Sequence, residues 1–189
     1  DAQELTARRT ASSSALASTF LSRRDSETLL MVGTGMLAPY LIEAHATVRR
    51  YKRILIWGRN RDKAQAVCDL LNPKMDVQIT RVEDLEKGIK QADVVSCATL
   101  SATPLILGTW LKPGQHIDLV GAYKSDMREA DDALMLKSKL YVDTPMALKE
   151  TGDLLIPMTK GILDSNDIRG DLFQLCQKTR KGREKKEEI

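Results

Sequence analysis

Cysteine is scarce in this sequence: Cys68, Cys97 and Cys176 are three in 189 residues, an odd number with no close pair. That spacing excludes a disulfide framework and a zinc site, and it fits a reducing, cytoplasmic setting. Cys97 lies in the mostly apolar run 94–98, where a cysteine behaves as a small buried hydrophobe. Histidine is scarcer still. His45 and His116 stand beside no cysteine or acidic cluster, so a metal site has no support, and both are expected to serve packing. No serine, histidine and acid arrangement suggests a hydrolase. Long apolar runs are missing too: none approaches the roughly 20 residues that cross a bilayer. Residues 1–9 lack the charged-then-apolar order of a secretory signal, so no membrane partner is expected. An excess of one charge is also absent. The 29 basic and 26 acidic residues leave +3, scattered along the chain, whereas a nucleic-acid binder concentrates its excess on one face.

What is present suits one globular domain, since 42% hydrophobic residues can build a continuous core. Residues 1–24 are expected to form an alanine- and serine-rich helix leading into the domain, made for close packing. From Thr28 a rhythm of strand, turn and helix begins. Strands are expected at 28–32, 53–57, 77–80, 92–97, 116–120 and, last, 139–142, with helices at about 36–50, 61–71 and 83–90 and around Leu148 and Leu172. The run at 28–32 is apolar after its first residue instead of alternating, as expected when both faces of a parallel strand are covered. The fold class is therefore α/β: a Rossmann-type, doubly wound, mostly parallel sheet with helices on both faces, spanning residues 25–175. Residues 176–189, where basic side chains mix with Glu184, Glu187 and Glu188, are expected to be a solvated, flexible tail.

The chemistry is carried by Gly33-Thr34-Gly35-Met36-Leu37-Ala38, a G-x-G-x-x-A turn between an apolar strand and an amphipathic helix. Gly33 permits the tight turn, Gly35 lets a pyrophosphate approach the backbone, and Ala38 lets helix and strand pack closely. The helix N-terminus adds free N–H groups and a partial positive charge. A glycine pair alone would suit any tight turn; the strand before it and the helix after it make this one a dinucleotide site. The end of the second strand, where an acid would hold a ribose 2′-hydroxyl, instead reads Gly58-Arg59-Asn60. Arg59 can offer a planar guanidinium to a 2′-phosphate and Asn60 a neutral donor, with Lys63 on the helix that follows. NADP(H) is favoured, with NAD(H) as the alternative.

Together with these turns, the segments Val95-Ser96-Cys97-Ala98-Thr99-Leu100-Ser101-Ala102-Thr103-Pro104 and Asp118-Leu119-Val120-Gly121-Ala122 closely resemble the ornithine cyclodeaminase and mu-crystallin family. Thr6-Ala7-Arg8-Arg9-Thr10, Asp126-Met127-Arg128-Glu129 and Ala147-Leu148-Lys149-Glu150-Thr151-Gly152-Asp153 look like family motifs too. The resemblance implies a cofactor held by Thr10, by Ala98, Thr99, Leu100 and Ser101, and by Val120 and Gly121, beside the glycine turn. It implies Arg9 as a grip on a substrate carboxylate, a small imino or amino acid as substrate, and a homodimer in the full-length protein. Family members carry a second, substrate and dimerisation domain. This chain resembles the dinucleotide domain alone, so it is expected to bind cofactor without turning substrate over.

The resemblance also leaves three activities open. Cyclodeaminases and alanine dehydrogenases resemble Val-Gly-(Gly/Ala)-Asp after the fifth-strand region, but here Tyr123 follows Val120-Gly121-Ala122. A phenol of ordinary pKa about 10 cannot replace a carboxylate base at neutral pH. The chain instead looks like the branch that reduces cyclic ketimines, Δ1-pyrroline-2-carboxylate or Δ1-piperideine-2-carboxylate, to proline or pipecolate. Ornithine cyclodeaminase and a non-catalytic, mu-crystallin-like binding protein are the alternatives.

Overall fold

The computed structural model describes residues 2–189; residue 1, the first of the expected leading helix, lies outside them. In chain order the elements are α1 (Ala2–Leu21), β1 (Thr28–Val32), α2 (Leu37–Val48), β2 (Arg53–Trp57), α3 (Arg61–Leu71), β3 (Gln78–Arg81), α4 (Leu85–Gln91), β4 (Val94–Cys97), β5 (His116–Leu119), α5 (Asp132–Lys137), β6 (Leu140–Val142), α6 (Ala147–Glu150), α7 (Gly152–Thr159), β7 (Ile168–Asp171) and α8 (Leu172–Cys176).

The five strands β1 to β5 form one sheet in the order β3-β2-β1-β4-β5, and every pairing in it is parallel. The apolar runs read from the sequence explain why. In β1, Leu29 and Met31 enter a core layer with Leu41 and Ile42 of α2 and Ala64 and Leu71 of α3. Leu30 and Val32 enter the opposite layer with Ile89 of α4 and Leu134 of α5. A strand buried on both faces needs apolar residues at every position, which an alternating strand lacks. Because β1 lies between β2 and β4, the chain reverses its direction across the sheet at β1. The reversal opens a crevice at the carboxyl ends of the strands, where open α/β sheets bind ligands.

The leading helix is docked. Ala7, Ala11, Ser14, Ala15 and Ser18 recur at helical spacing and are buried, and α1 packs against α2 along this stripe of small side chains. At the carboxyl end of α1, the guanidinium of Arg49, just past α2, donates to the carbonyl oxygens of Ser18, Thr19 and Ser22 at 3.0–3.2 Å, and its Nε donates to that of Arg23. Among the described residues the Thr19 and Ser22 carbonyls take no backbone amide, while that of Ser18 also accepts from the Ser22 amide and hydroxyl and that of Arg23 from the Ser26 amide. The carboxylate of Asp93 anchors the start of β1, accepting from the Glu27 and Thr28 amides and pairing with Arg23 at 2.6 Å.

Two expectations need correction. The segment at 139–142 is a strand, but as β6 it pairs with β7 in a separate two-stranded parallel sheet and not with the main one. The partner was unreadable because Ile168-Arg169-Gly170-Asp171 carries a single apolar residue. The tail is exposed along most of its length, but it is fastened to the domain at several points and is not loose. Arg183 donates to the carbonyl oxygens of Leu21 and Gln115, the Tyr141 hydroxyl donates to that of Lys181, and the Lys139 amide donates to that of Ile189. These backbone acceptors are invisible to a reading of side-chain charge.

Replacing Arg49 by Ala is expected to lower the unfolding free energy by about 1–3 kcal/mol, because it strands several helix-end carbonyls. Arg49→Lys should recover only part of the loss, since one ammonium cannot span the same carbonyls. Urea denaturation of the three proteins measures both effects.

Candidate dinucleotide-binding site

The glycine turn sits at the switch point. Gly33 adopts φ +116°, its amide donates to the Trp57 carbonyl, and a Cβ there would lie 2.4 Å from the Ala98 carbonyl oxygen. The β4 loop thus rests directly on the turn, an approach open only to glycine. Thr34 packs its methyl against Gly58, where a Cβ would come within 2.5 Å of it, so the turns after β1 and β2 are fitted together. Gly35 differs from both: a Cβ there would meet nothing within 4 Å. Gly35 and Met36 are exposed, and no side chain caps the start of α2. Ala38 donates its amide to the Gly35 carbonyl at 3.0 Å and Pro39 has none to give, so the amides left free at the start of this 12-residue helix among the described residues are those of residues 35–37, beside that open space.

At the end of β2, Arg59 and Lys63 are exposed, and neither side chain enters an ion pair among the described residues. Asn60 is committed in part: its Oδ1 accepts the Lys63 amide at 2.9 Å and caps α3, which leaves its NH₂ group as the donor that the sequence suggested.

The loops after β4 and β5 meet at a side chain to which the sequence reading gave no role. Glu129 is fully buried. Its Oε1 accepts from the Thr99 amide at 2.6 Å, the Thr99 hydroxyl at 2.7 Å and the Cys97 thiol at 3.1 Å, and its Oε2 accepts from the Gly121 amide at 2.7 Å. Burial pushes this carboxyl up to about 7 despite those four donors. Asp153 supports it from α7, its Oδ1 accepting the amides of Glu129 and Ala130 at 2.9 Å each. Gly121 fits because it is bare: a Cβ would lie 1.9 Å from the Thr99 carbonyl oxygen. Leu100 is 70% exposed, while Ser101 is half-buried, its hydroxyl donating to Thr103 and its carbonyl accepting the Arg128 amide.

Arg9, Thr10 and Val120 come together elsewhere. With Ala122, Tyr123 and Thr144 they border a cavity of about 620 Å³ between α1, β5 and β6. The glycine turn, the Arg59 region and the 98–101 loop do not line it, so the candidate residues divide between the crevice and this cavity. Tyr123 is 59% exposed, with the Lys124 ammonium 5.6 Å from its ring centre. Beneath the cavity Asp118 accepts from Ser96 at 2.7 Å and from the buried His45 at 3.2 Å, which holds its carboxyl below the usual range. His116 is buried and pushed down to about 3 by desolvation, so it stays neutral. Packing, as expected, is where both histidines serve, although His45 also makes the hydrogen bond to Asp118 that its sequence neighbours do not reveal.

A parallel sheet in this order, with a bare glycine turn and an uncapped helix at its switch point, defines a Rossmann-type α/β domain. The chain belongs to the ornithine cyclodeaminase/mu-crystallin family, whose model matches residues 1–189. It is 38% identical over 191 residues to a Δ1-pyrroline-2-carboxylate reductase of Paracoccus denitrificans, covering 100% of this chain and 60% of that protein. It is 36% identical over 181 residues to the ketimine reductase mu-crystallin of Rattus norvegicus, covering 95% of this chain and 56% of that protein. The structure of a Thermococcus litoralis Δ1-pyrroline-2-carboxylate reductase in complex with NADH and L-proline superposes with a TM-score of 0.95 at 33% identity, over 97% of this chain and 57% of that one. The chain thus spans less than two thirds of these relatives.

The two glycines predict opposite outcomes on folding. Gly121→Ala is expected to destabilise by about 2 kcal/mol or more, since its Cβ overlaps backbone that cannot swing aside. Gly35→Ala should stay within about 0.5 kcal/mol of the parent protein. Thermal and urea unfolding of the two variants check the contrast.

Proposed function

We propose that this chain holds a nicotinamide dinucleotide for a reductase of cyclic imino acids, with Δ1-pyrroline-2-carboxylate or Δ1-piperideine-2-carboxylate as substrate and proline or pipecolate as product. The observation that carries the reading is the open space over Gly35 at the uncapped start of α2, a cradle shaped for a pyrophosphate. When bound, the nicotinamide supplies the hydride.

The roles of the side chains follow from where they stand. The backbone of residues 33–37 receives the phosphates. Gly58, Arg59, Asn60 and Lys63 border the adenine ribose, and the unpaired guanidinium of Arg59 favours NADP(H) by offering two parallel N–H donors to a 2′-phosphate. NAD(H) use remains the alternative, and the Thermococcus litoralis relative carries NADH. Ala98, Thr99, Leu100, Ser101 and Gly121 form the wall for the nicotinamide end, with Val120 and Thr10 of α1 on the adjoining cavity toward which that end points. Arg9 borders the adjoining cavity, where a cation would fix the substrate carboxylate in line with the ring. Tyr123 on the same cavity wall gives no carboxylate at this place to take up a proton, which favours reduction over deamination. A homodimer in the longer protein rests on the family resemblance.

Calorimetric titration of the chain with NADPH and with NADH at fixed salt tests the cofactor reading. NADPH is expected to bind more tightly; Arg59→Ala should weaken NADPH by about tenfold or more and leave NADH nearly unchanged. Gly35→Ala should weaken both while the protein stays folded. Equal affinities unaffected by Arg59→Ala would remove the selector, and no binding of either dinucleotide would remove the reading. In a protein that also carries the second domain, Arg9→Ala is expected to abolish Δ1-pyrroline-2-carboxylate reduction, and unchanged kinetics would take Arg9 out of the mechanism.

A further inference from the structure

The least expected feature of the crevice is a buried acid with no cation. Glu129 enters no ion pair among the described residues, and its neighbour Arg128 is engaged by the Ala130 carbonyl and by Asp132. Every group that faces its carboxyl donates: Cys97 at the end of β4, Thr99 in the loop beyond it, and Gly121 beyond β5. From α7, Asp153 meets its backbone amide. The loop that Glu129 grips is the one that rests on the glycine turn, through Ala98 and the Thr99 methyl beside Gly33.

We propose that Glu129 is a positioning residue of the crevice: its carboxylate ties Thr99 to Gly121 and so sets the spacing of the two loops that receive the nicotinamide end of a dinucleotide. The inference rests on the dinucleotide reading above.

Its charge state matters because the four donors cannot all be kept once the acid is protonated. A protonated oxygen must donate, and among its partners only the Thr99 hydroxyl, and weakly the Cys97 sulfur, can accept. The Gly121 amide keeps its bond to the other oxygen, while Thr99 loses the charge-assisted pair that holds it. The carboxyl titrates at about 7, so the tie is made above neutral pH and released below it. Stability runs the other way. The native state holds a proton between 4.5 and about 7 that the unfolded chain has already lost, so this group's contribution to stability falls as pH rises through that window. Cofactor grip and fold stability thus have opposite pH slopes from one side chain, a signature that a packing role alone does not produce.

Two probes separate this proposal from the reading beneath it: NADH, which fills the whole crevice, and ADP-ribose, which lacks the nicotinamide. Affinities are measured by calorimetry on the full chain from pH 6 to pH 8. NADH is expected to bind about fivefold more tightly at pH 8 than at pH 6, the size of one hydrogen bond, with ADP-ribose flat. In Glu129→Gln the amide must turn a donor toward Thr99 or Gly121; NADH affinity should stay at or below the parent's pH 6 value and lose its slope. Should that variant fail to fold, the parent protein still decides: in its ¹⁵N–¹H spectrum the Thr99 amide should titrate at about 7 and move further than the Gly121 amide. A flat NADH profile with normal ADP-ribose binding, an unchanged slope in Glu129→Gln, or a Thr99 amide that does not titrate would each overturn the proposal alone. Failure of both probes to bind would overturn the dinucleotide reading with it.

Discussion

Three stretches of backbone meet at the carboxyl ends of the central strands with almost nothing between them, and the rest of the structure is arranged to permit it. Gly33 lies against the Ala98 carbonyl, and Gly121 lies against the Thr99 carbonyl. Neither approach tolerates a Cβ. Backbone brought so close has amides and carbonyls that water cannot reach, and each must find a partner. Glu129 supplies part of that need by accepting two amides, a hydroxyl and a thiol on one carboxylate. Desolvating the acid is costly, and the four donors that converge on it offset that cost only in part, which is why burial still raises the carboxyl.

The same device recurs across the molecule. Asp93 takes the amides at the start of β1, Asp153 takes those of Glu129 and Ala130, and Asp131 takes those of Gly108 and Leu134. In each case one short acid joins segments far apart in the sequence through backbone donors. Arg49 and Arg183 are the cationic counterparts, gathering carbonyls at the end of α1 and along the tail. Neither guanidinium relies on a surface ion pair, which would contribute little. Helix ends and loop amides therefore set the positions of α1 and of the strand-end loops, and through them the shape of both the crevice and the cavity.

The crevice and the cavity divide the chemistry as they divide the residues. Open space and free N–H groups over Gly35 suit a diphosphate, and an unpaired guanidinium at Arg59 suits a further phosphate. Arg9 and Tyr123 border a separate space whose wall includes α1. Because α1 leads into the domain and is docked on α2, the helix that carries Arg9 is held in fixed relation to the glycine turn.

Much of this was legible in the residues alone. The apolar runs at 29–32 and 54–57 read as strands covered on both faces, and the spacing of Gly33, Gly35 and Ala38 announced the turn, because local sterics act within a few residues. The small-residue stripe of α1 was readable for the same reason. Glu129, Asp153 and Arg49 were not, although the motifs 126–129 and 147–153 contain the first two. Most of their partners are backbone groups, up to about 30 residues distant, and backbone looks the same at every position of a sequence. The pairing of β6 with β7 and the seating of the tail were hidden likewise. The sequence by itself determined the fold class, the glycine turn and the absence of an acid at the end of β2, each a matter of residue type and local spacing. Only the tertiary structure decided which loops touch, which acid is buried without a cation and which acceptors hold the tail, because desolvation and long-range hydrogen bonds exist only once the chain has closed around them.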